Sequence, residues 1–185
     1  MISLGPLASL DTTRRVVAIG LSAVLAAAMA WRFGWSPLLP AYLVLAVVAG
    51  IVWVTDATEL RIPAVVVLPA YPITAVLLAL ACGLEGSWWS LGRAAICGGA
   101  LAGWYLLLGL GFPGSTGLGD VRLAGLLGGY LGFLGWTFFT GGALLGGLIG
   151  AAFVLVRHHV PRRKAVMPLG PFLLAGTLIV ILAAR

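Results

Sequence analysis

The sequence predicts an all-α bundle of membrane-spanning helices, and three observations carry that prediction. Hydrophobic residues make up 62% of the 185 positions and charged residues only 9%, whereas a soluble domain carries about one-quarter charged residues; the mean hydropathy is +1.14. The apolar residues fall in long runs rather than in amphipathic stripes, so a water-soluble core could not hide them. The basic residues are scattered in the short segments between the runs, as topology determinants are. A single membrane-embedded domain over 1–185 is the natural division.

Seven apolar stretches follow one another, a count of six to seven spans: about 16–31, 38–55, 63–83, 92–112, 121–134, 136–156 and 167–184. The first follows Arg14 and Arg15 and ends AAAMA, like a signal peptide, but uncleaved first helices of multi-span proteins carry the same basic flank. The second, ending VLAVVAGIVWVT, stops at Asp56. The third opens at Pro63 and reaches the loop GLEGSWW, and the fourth returns to the turn GSTGLGD. The fifth, VRLAGLLGGYLGFL, is too short to cross about 30 Å of hydrocarbon at about 1.5 Å per residue. It is expected to be shielded by protein and joined to the sixth by a tight turn at Gly135. The seventh follows MPLGPF and runs to the C-terminus.

Alternating spans divide the basic residues unequally. Arg14, Arg15, Arg61, Arg122, Arg157, Arg162, Arg163 and Lys164 share one side, and Arg32, Arg93 and Arg185 the other. The positive-inside rule then puts the N-terminus in the cytoplasm and the C-terminus outside. The net charge of +6 comes without an aromatic-basic patch, so no nucleic-acid partner is expected. Cys82 and Cys97 form no CxxC, give no zinc site or disulfide framework, and read as small buried residues on neighbouring helices. Gly125 with Gly129, Gly128 with Gly132, and Gly142, Gly146 and Gly150 recur at four-residue spacing, which predicts close packing of the fifth and sixth helices.

Five acidic residues occur: Asp11, Asp56, Glu59, Glu85 and Asp120. Asp11 lies in a polar N-terminal segment and Glu85 in an outside loop, both solvated. Asp56 ends the second span and Asp120 opens the fifth from the same side, because the third span leaves that side and the fourth returns. Ionisable groups at membrane helix ends are costly unless hydrated or paired, which makes both functional candidates. The bland alternatives are an N-cap for Asp120 and an ordinary helix-end residue beside Arg61 for Asp56. Two carboxylates that meet can share a proton near neutrality. Such a dyad hydrolyses an amide without metal or nucleophilic side chain: the ionised member deprotonates water while the protonated member hydrogen-bonds the carbonyl oxygen. The helix dipole favours the Asp120 anion, which suggests Asp120 as initial base and Asp56 as initial acid.

Three segments together resemble the prepilin peptidase (type IV leader peptidase) family of GxGD membrane aspartyl proteases. TDATELRIPAVVVLP resembles its first catalytic segment, with Asp56 followed by Pro63. GLGDVRLAGLLGG resembles its GxGD segment, with Gly117, Gly119 and Asp120, and with Arg122 where a lysine is commoner. MPLGPFLLAG resembles its C-terminal segment, with Pro168, Gly170 and Pro171. The match covers about 38–185, leaving the first span, about 16–31, outside it. The resemblance implies removal of the short leader from type IV pilin or pseudopilin precursors at the cytoplasmic face, with Asp56 and Asp120 catalytic. The paired CxxC motifs of bifunctional members are not found, so methyltransfer, S-adenosylmethionine and zinc are not expected, and no other cofactor is implied. Pro63 and a Gly117/Gly119 turn are expected to keep backbone non-helical near the scissile peptide. Ala64 stands where the family often has Asn or Asp. Arg122 reads as an interfacial anchor, with holding Asp120 ionised as a secondary role. The cluster Arg162, Arg163 and Lys164, with His158 and His159, reads as anchoring to anionic headgroups. Two other classes stay open: a non-catalytic scaffold of the same fold, and a small transporter with both aspartates on an ion path. Two retained aspartates count against the first, and their interfacial rather than midplane depth against the second.

Overall fold

The computed structural model describes residues 11–111, 116–158 and 169–183 and is all-α, with seven helices and, among the described residues, no strand. In order they are α1 (Thr12–Phe33), α2 (Leu39–Glu59), α3 (Ala64–Glu85), α4 (Trp88–Gly111), α5 (Leu118–Leu134), α6 (Trp136–His158) and α7 (Gly170–Ala183). The first four are long and apolar enough to cross a membrane. The 17 residues of α5 rise only about 26 Å at 1.5 Å each. As the short apolar run suggested, α5 is enclosed by protein: Leu123 to Gly128 and Tyr130 to Phe133 are all buried. A single residue, Gly135 at φ 155°, turns the chain into α6.

Helices consecutive in the chain run antiparallel, as Arg14 at the start of α1 pairs with Glu59 at the end of α2 at 3.7 Å, whereas α1 and α7 run parallel, Arg32 at the end of α1 reaching the Ile181 carbonyl near the end of α7 at 3.1 Å. One end of the bundle therefore gathers the starts of α1, α3, α5 and α7 and the ends of α2 and α4. Within the core, near the first turn of α2, the helices α2, α3 and α5 share a buried hydroxyl network. Tyr130 donates to the Ala41 carbonyl at 2.8 Å, which leaves Thr74 as donor to Tyr130 at 2.6 Å, and Tyr42 donates to the Tyr130 carbonyl at 3.0 Å. Buried hydroxyls are costly unless bonded, so this set favours one mutual height of the three helices.

The opposite end has its own chemistry. Trp31, Trp35, Trp88, Trp89 and Trp136 are all exposed there, at the ends or starts of α1, α2, α4 and α6, as amphipathic rings are at a headgroup layer. Arg93 donates to the Gly132 and Phe133 carbonyls at 2.5 and 2.6 Å, satisfying acceptors that the last turn of α5 leaves open. Arg32 does the same for α7. The outer faces carry Ile19, Val24, Ile73, Leu80, Leu107 and Leu144, all exposed, an apolar surface too extensive for water.

The glycines pack differently from the sequence expectation. A Cβ on Gly128 would lie 2.7 Å from the Cys97 carbonyl, and one on Gly132 would meet Cys97. The seam of α5 glycines thus faces α4, where Gly98 also gives way to the Gly125 carbonyl at 2.8 Å. On α6, Gly146 faces α7, its Cα 2.6 Å from a Cβ placed on Gly176, and only Gly142 meets α5, at Leu131. Four-residue spacing creates a smooth face without naming the helix that fills it. Cys82 and Cys97 are buried and free, on α3 and α4.

Candidate active site

The site is built where α2 ends. Thr55 and Thr58 return their hydroxyls to the Ile51 and Val54 carbonyls at 3.0 and 2.8 Å, so their polar atoms are absorbed by the helix itself. The helix consequently continues past the expected end at 55 and carries Asp56 within its last turn. It stops at Leu60, which adopts the left-handed conformation (φ 53°, ψ 36°) and donates its N–H to the Asp56 carbonyl at 3.0 Å. A branched side chain enters that region only at a cost. Leu60 turns the chain into Arg61 and Ile62, and Pro63, extended and buried, caps α3.

Asp56 is only 3% exposed, so its carboxylate needs a partner inside the protein. That partner is α7. The Gly170 N–H, one of the donors a helix start leaves open, reaches Asp56 Oδ2 at 3.0 Å. A Cβ on Gly170 would lie 2.7 Å from the same oxygen and 3.3 Å from Ile62 Cδ1, so glycine is required by close approach. Pro171 occupies the second position of α7, where a missing N–H costs nothing.

Asp120 is the third residue of α5, and its Oδ2 accepts the Gly117 N–H at 2.9 Å. This is half of a capping box; glycine has no side chain to return the other half. Asp120 therefore sits inside the first turn and not at the N-cap position. Gly119 corrects a second expectation. It lies inside the helix, not in a turn, and a Cβ there would come 2.9 Å from Ile62 Cβ. Gly117 alone remains non-helical, extended at φ −87°.

Ile62 packs against both glycine backbones, Gly119 beside Asp120 and Gly170 beside Asp56. The charge of Asp120 acts on Asp56, and also on Tyr105 of α4. Segments remote in sequence thus converge on one end of the bundle: the end of α2, the start of α5 and the start of α7. Each aspartate uses Oδ2 for its backbone donor, which leaves Oδ1 as the oxygen to meet water or a proton. Among the described residues no group of three His, Cys, Asp or Glu side chains gathers to hold a metal ion.

Arg122 does not serve Asp120. Among the described residues it forms no ion pair with either aspartate, because side chains two positions apart on a helix point to different faces. Arg61 is exposed and likewise unpaired with Asp56. Pro168, His159, Arg162, Arg163 and Lys164 lie outside the described residues, as does Arg185; His158 ends α6. Ile62, Leu60, Tyr71 and Tyr105 were not singled out by the sequence. Ile62 lies inside the segment that carries Asp56 and Pro63, but nothing in its type marks a contact to two distant glycines.

Compared with known proteins, the chain matches no family model, no curated protein and no solved structure.

Proposed function

We propose that the protein is a membrane aspartic endopeptidase of the prepilin peptidase type, removing the leader from pilin-like precursors at the cytoplasmic face. The observation that carries the proposal is the Gly170 N–H on the Asp56 carboxylate, at the bundle end that also holds Asp120. The three segments on which the family resemblance rests are the same three that approach one another there. In the proposed reaction, Asp120 is the initial base, since it keeps partial exposure and water can reach it. Asp56 is the initial acid and donates to the carbonyl oxygen as water adds. Proton positions then exchange as the amine leaves, so one pair serves both steps.

A pilin-like precursor suits such a site: its stem is an apolar helix and its leader is polar, so the bond to be cut lies at the membrane interface. The four helices long enough to span, with the tryptophans at the far end, support an interfacial depth for both aspartates. The test is co-expression with a pilin-like precursor and measurement of leader removal. Wild type should process it, and Asp56→Ala and Asp120→Ala should not. Processing that survives either substitution would leave a scaffold role as the better reading.

A further inference from the structure

Among the residues that contact α5, Tyr71 makes a contact that the proposed chemistry does not yet use. It projects from α3 between Pro69 and Pro72, two prolines inside the helix. Its hydroxyl donates to the Arg122 carbonyl at 2.6 Å, in the same turn of α5 that carries Asp120. That carbonyl's usual partner is the Leu126 N–H, four residues on. The hydroxyl is thus set against one rung of the helix ladder, immediately after the first turn. Side chains inserted at such a rung alter the course of a helix.

The landing point is shaped for it. Gly125 faces Tyr71 so closely that a Cβ there would collide with the hydroxyl, and would also lie 3.2 Å from Ala102 Cβ on α4. Nothing about the surroundings forces the tyrosine inward for burial: it is 37% exposed and lines a cavity of about 420 Å³ between α3, α4 and α5. Its oxygen is placed by α5 rather than by the core. With Ile62 against Gly119, α3 and the link before it hold the start of α5 at two heights, one on each side of Asp120.

From this geometry we infer that Tyr71 is a positioning residue for Asp120: its hydroxyl, seated in the notch at Gly125, fixes the first turn of α5 and so the approach of Asp120 to Asp56. The inference rests on the proposed peptidase reading only for its effect on rate; its effect on α5 is independent of the reaction. Removing the hydroxyl releases the turn, and adding a methyl at Gly125 expels the hydroxyl. The two substitutions therefore act on one contact and should not add.

The experiment compares Tyr71→Phe, Gly125→Ala and the double variant with wild type, each as the full chain in detergent. Backbone amide exchange should rise about ten-fold over residues 120–126 in Tyr71→Phe, the size of one lost net hydrogen bond, with the rest of α5 and the other helices unchanged. Leader removal should fall about ten-fold in kcat with KM unchanged, since a misplaced carboxylate weakens the transition state and not the binding of the stem. Gly125→Ala should be more severe, and the double variant should recover toward the Tyr71→Phe level, because the lost oxygen removes the nearest clash and leaves only Ala102 Cβ, at 3.2 Å, to give way. Unchanged exchange over 120–126, a bundle-wide rise in exchange, or multiplicative effects in the double variant would each overturn the positioning role. If wild type processes no precursor, the peptidase reading fails while the exchange comparison still decides the role of Tyr71.

Discussion

Gly170 illustrates how much of the site is made by backbone. Its N–H holds Asp56 Oδ2 at 3.0 Å, and its missing Cβ is what permits that approach. Gly170→Ala must push the carboxylate, Ile62 or the start of α7 aside. Displacement by about 1 Å at a reacting group can cost about 10²-fold in rate. The variant is expected to lose leader removal to that extent and, because Gly170 and Asp56 are buried, to unfold at a lower temperature in detergent as other overpacked sites do. An unchanged rate would show that Asp56 does not need this donor. Asp56 and Asp120 themselves were legible in the sequence, since counting helix directions from one to the other assigns both to one end. The donors were only half legible. MPLGPF marks Gly170, but that its amide and not its flexibility matters follows from a contact across the fold.

Among the helices, α5 is packed on four sides, by α3, α4, α6 and α7. It is too short to span and is therefore wrapped, and its glycines let α4 approach to backbone contact along Gly125, Gly128 and Gly132. Gly128→Ala would set a methyl 2.7 Å from the Cys97 carbonyl and 3.0 Å from Leu101 Cβ. Overpacking of this kind costs about 1–3 kcal/mol, and it should appear as a lower unfolding midpoint with the carboxylates chemically intact. A midpoint equal to wild type would mean that α4 and α5 are looser than the seam implies. The short length, the buried character and the Gly135 turn of α5 could all be read from its residues. Its partner could not: four-residue spacing gives a smooth face, while the choice of α4 over α6 depends on where the two preceding helices lie. Tyr71 on Arg122 is illegible for the same reason, as a tyrosine beside two prolines gives no sign of its target.

For the molecule as a whole, the two ends of the bundle are chemically distinct. One carries both aspartates and the Arg14–Glu59 pair; the other carries five exposed tryptophans and the arginines that cap α5 and α7. Basic residues counted along the chain favour the aspartate end as cytoplasmic, and this orientation can be checked directly. A topology reporter fused after Arg185 is expected to be active outside the cell, and activity in the cytoplasm would reverse the proposed facing of the site. Composition was sufficient to read the all-α class and the apolar exterior. The tryptophan layer became visible only when the five rings, scattered from 31 to 136, were brought to one end by the turns between helices.

The proposal stands on the two aspartates acting as one group, and the rate of leader removal by purified protein tests this most directly. Asp56→Asn and Asp120→Asn preserve size and can still accept the Gly170 and Gly117 amides, so folding should persist. Each is predicted to lower the initial rate by at least about 10²-fold, the span of acid–base catalysis by one positioned group. Arg122→Ala, which touches neither aspartate, should stay within about three-fold of wild type, the range of a surface substitution. If either asparagine variant cleaves the precursor at the wild-type rate, Asp56 and Asp120 do not form the catalytic pair.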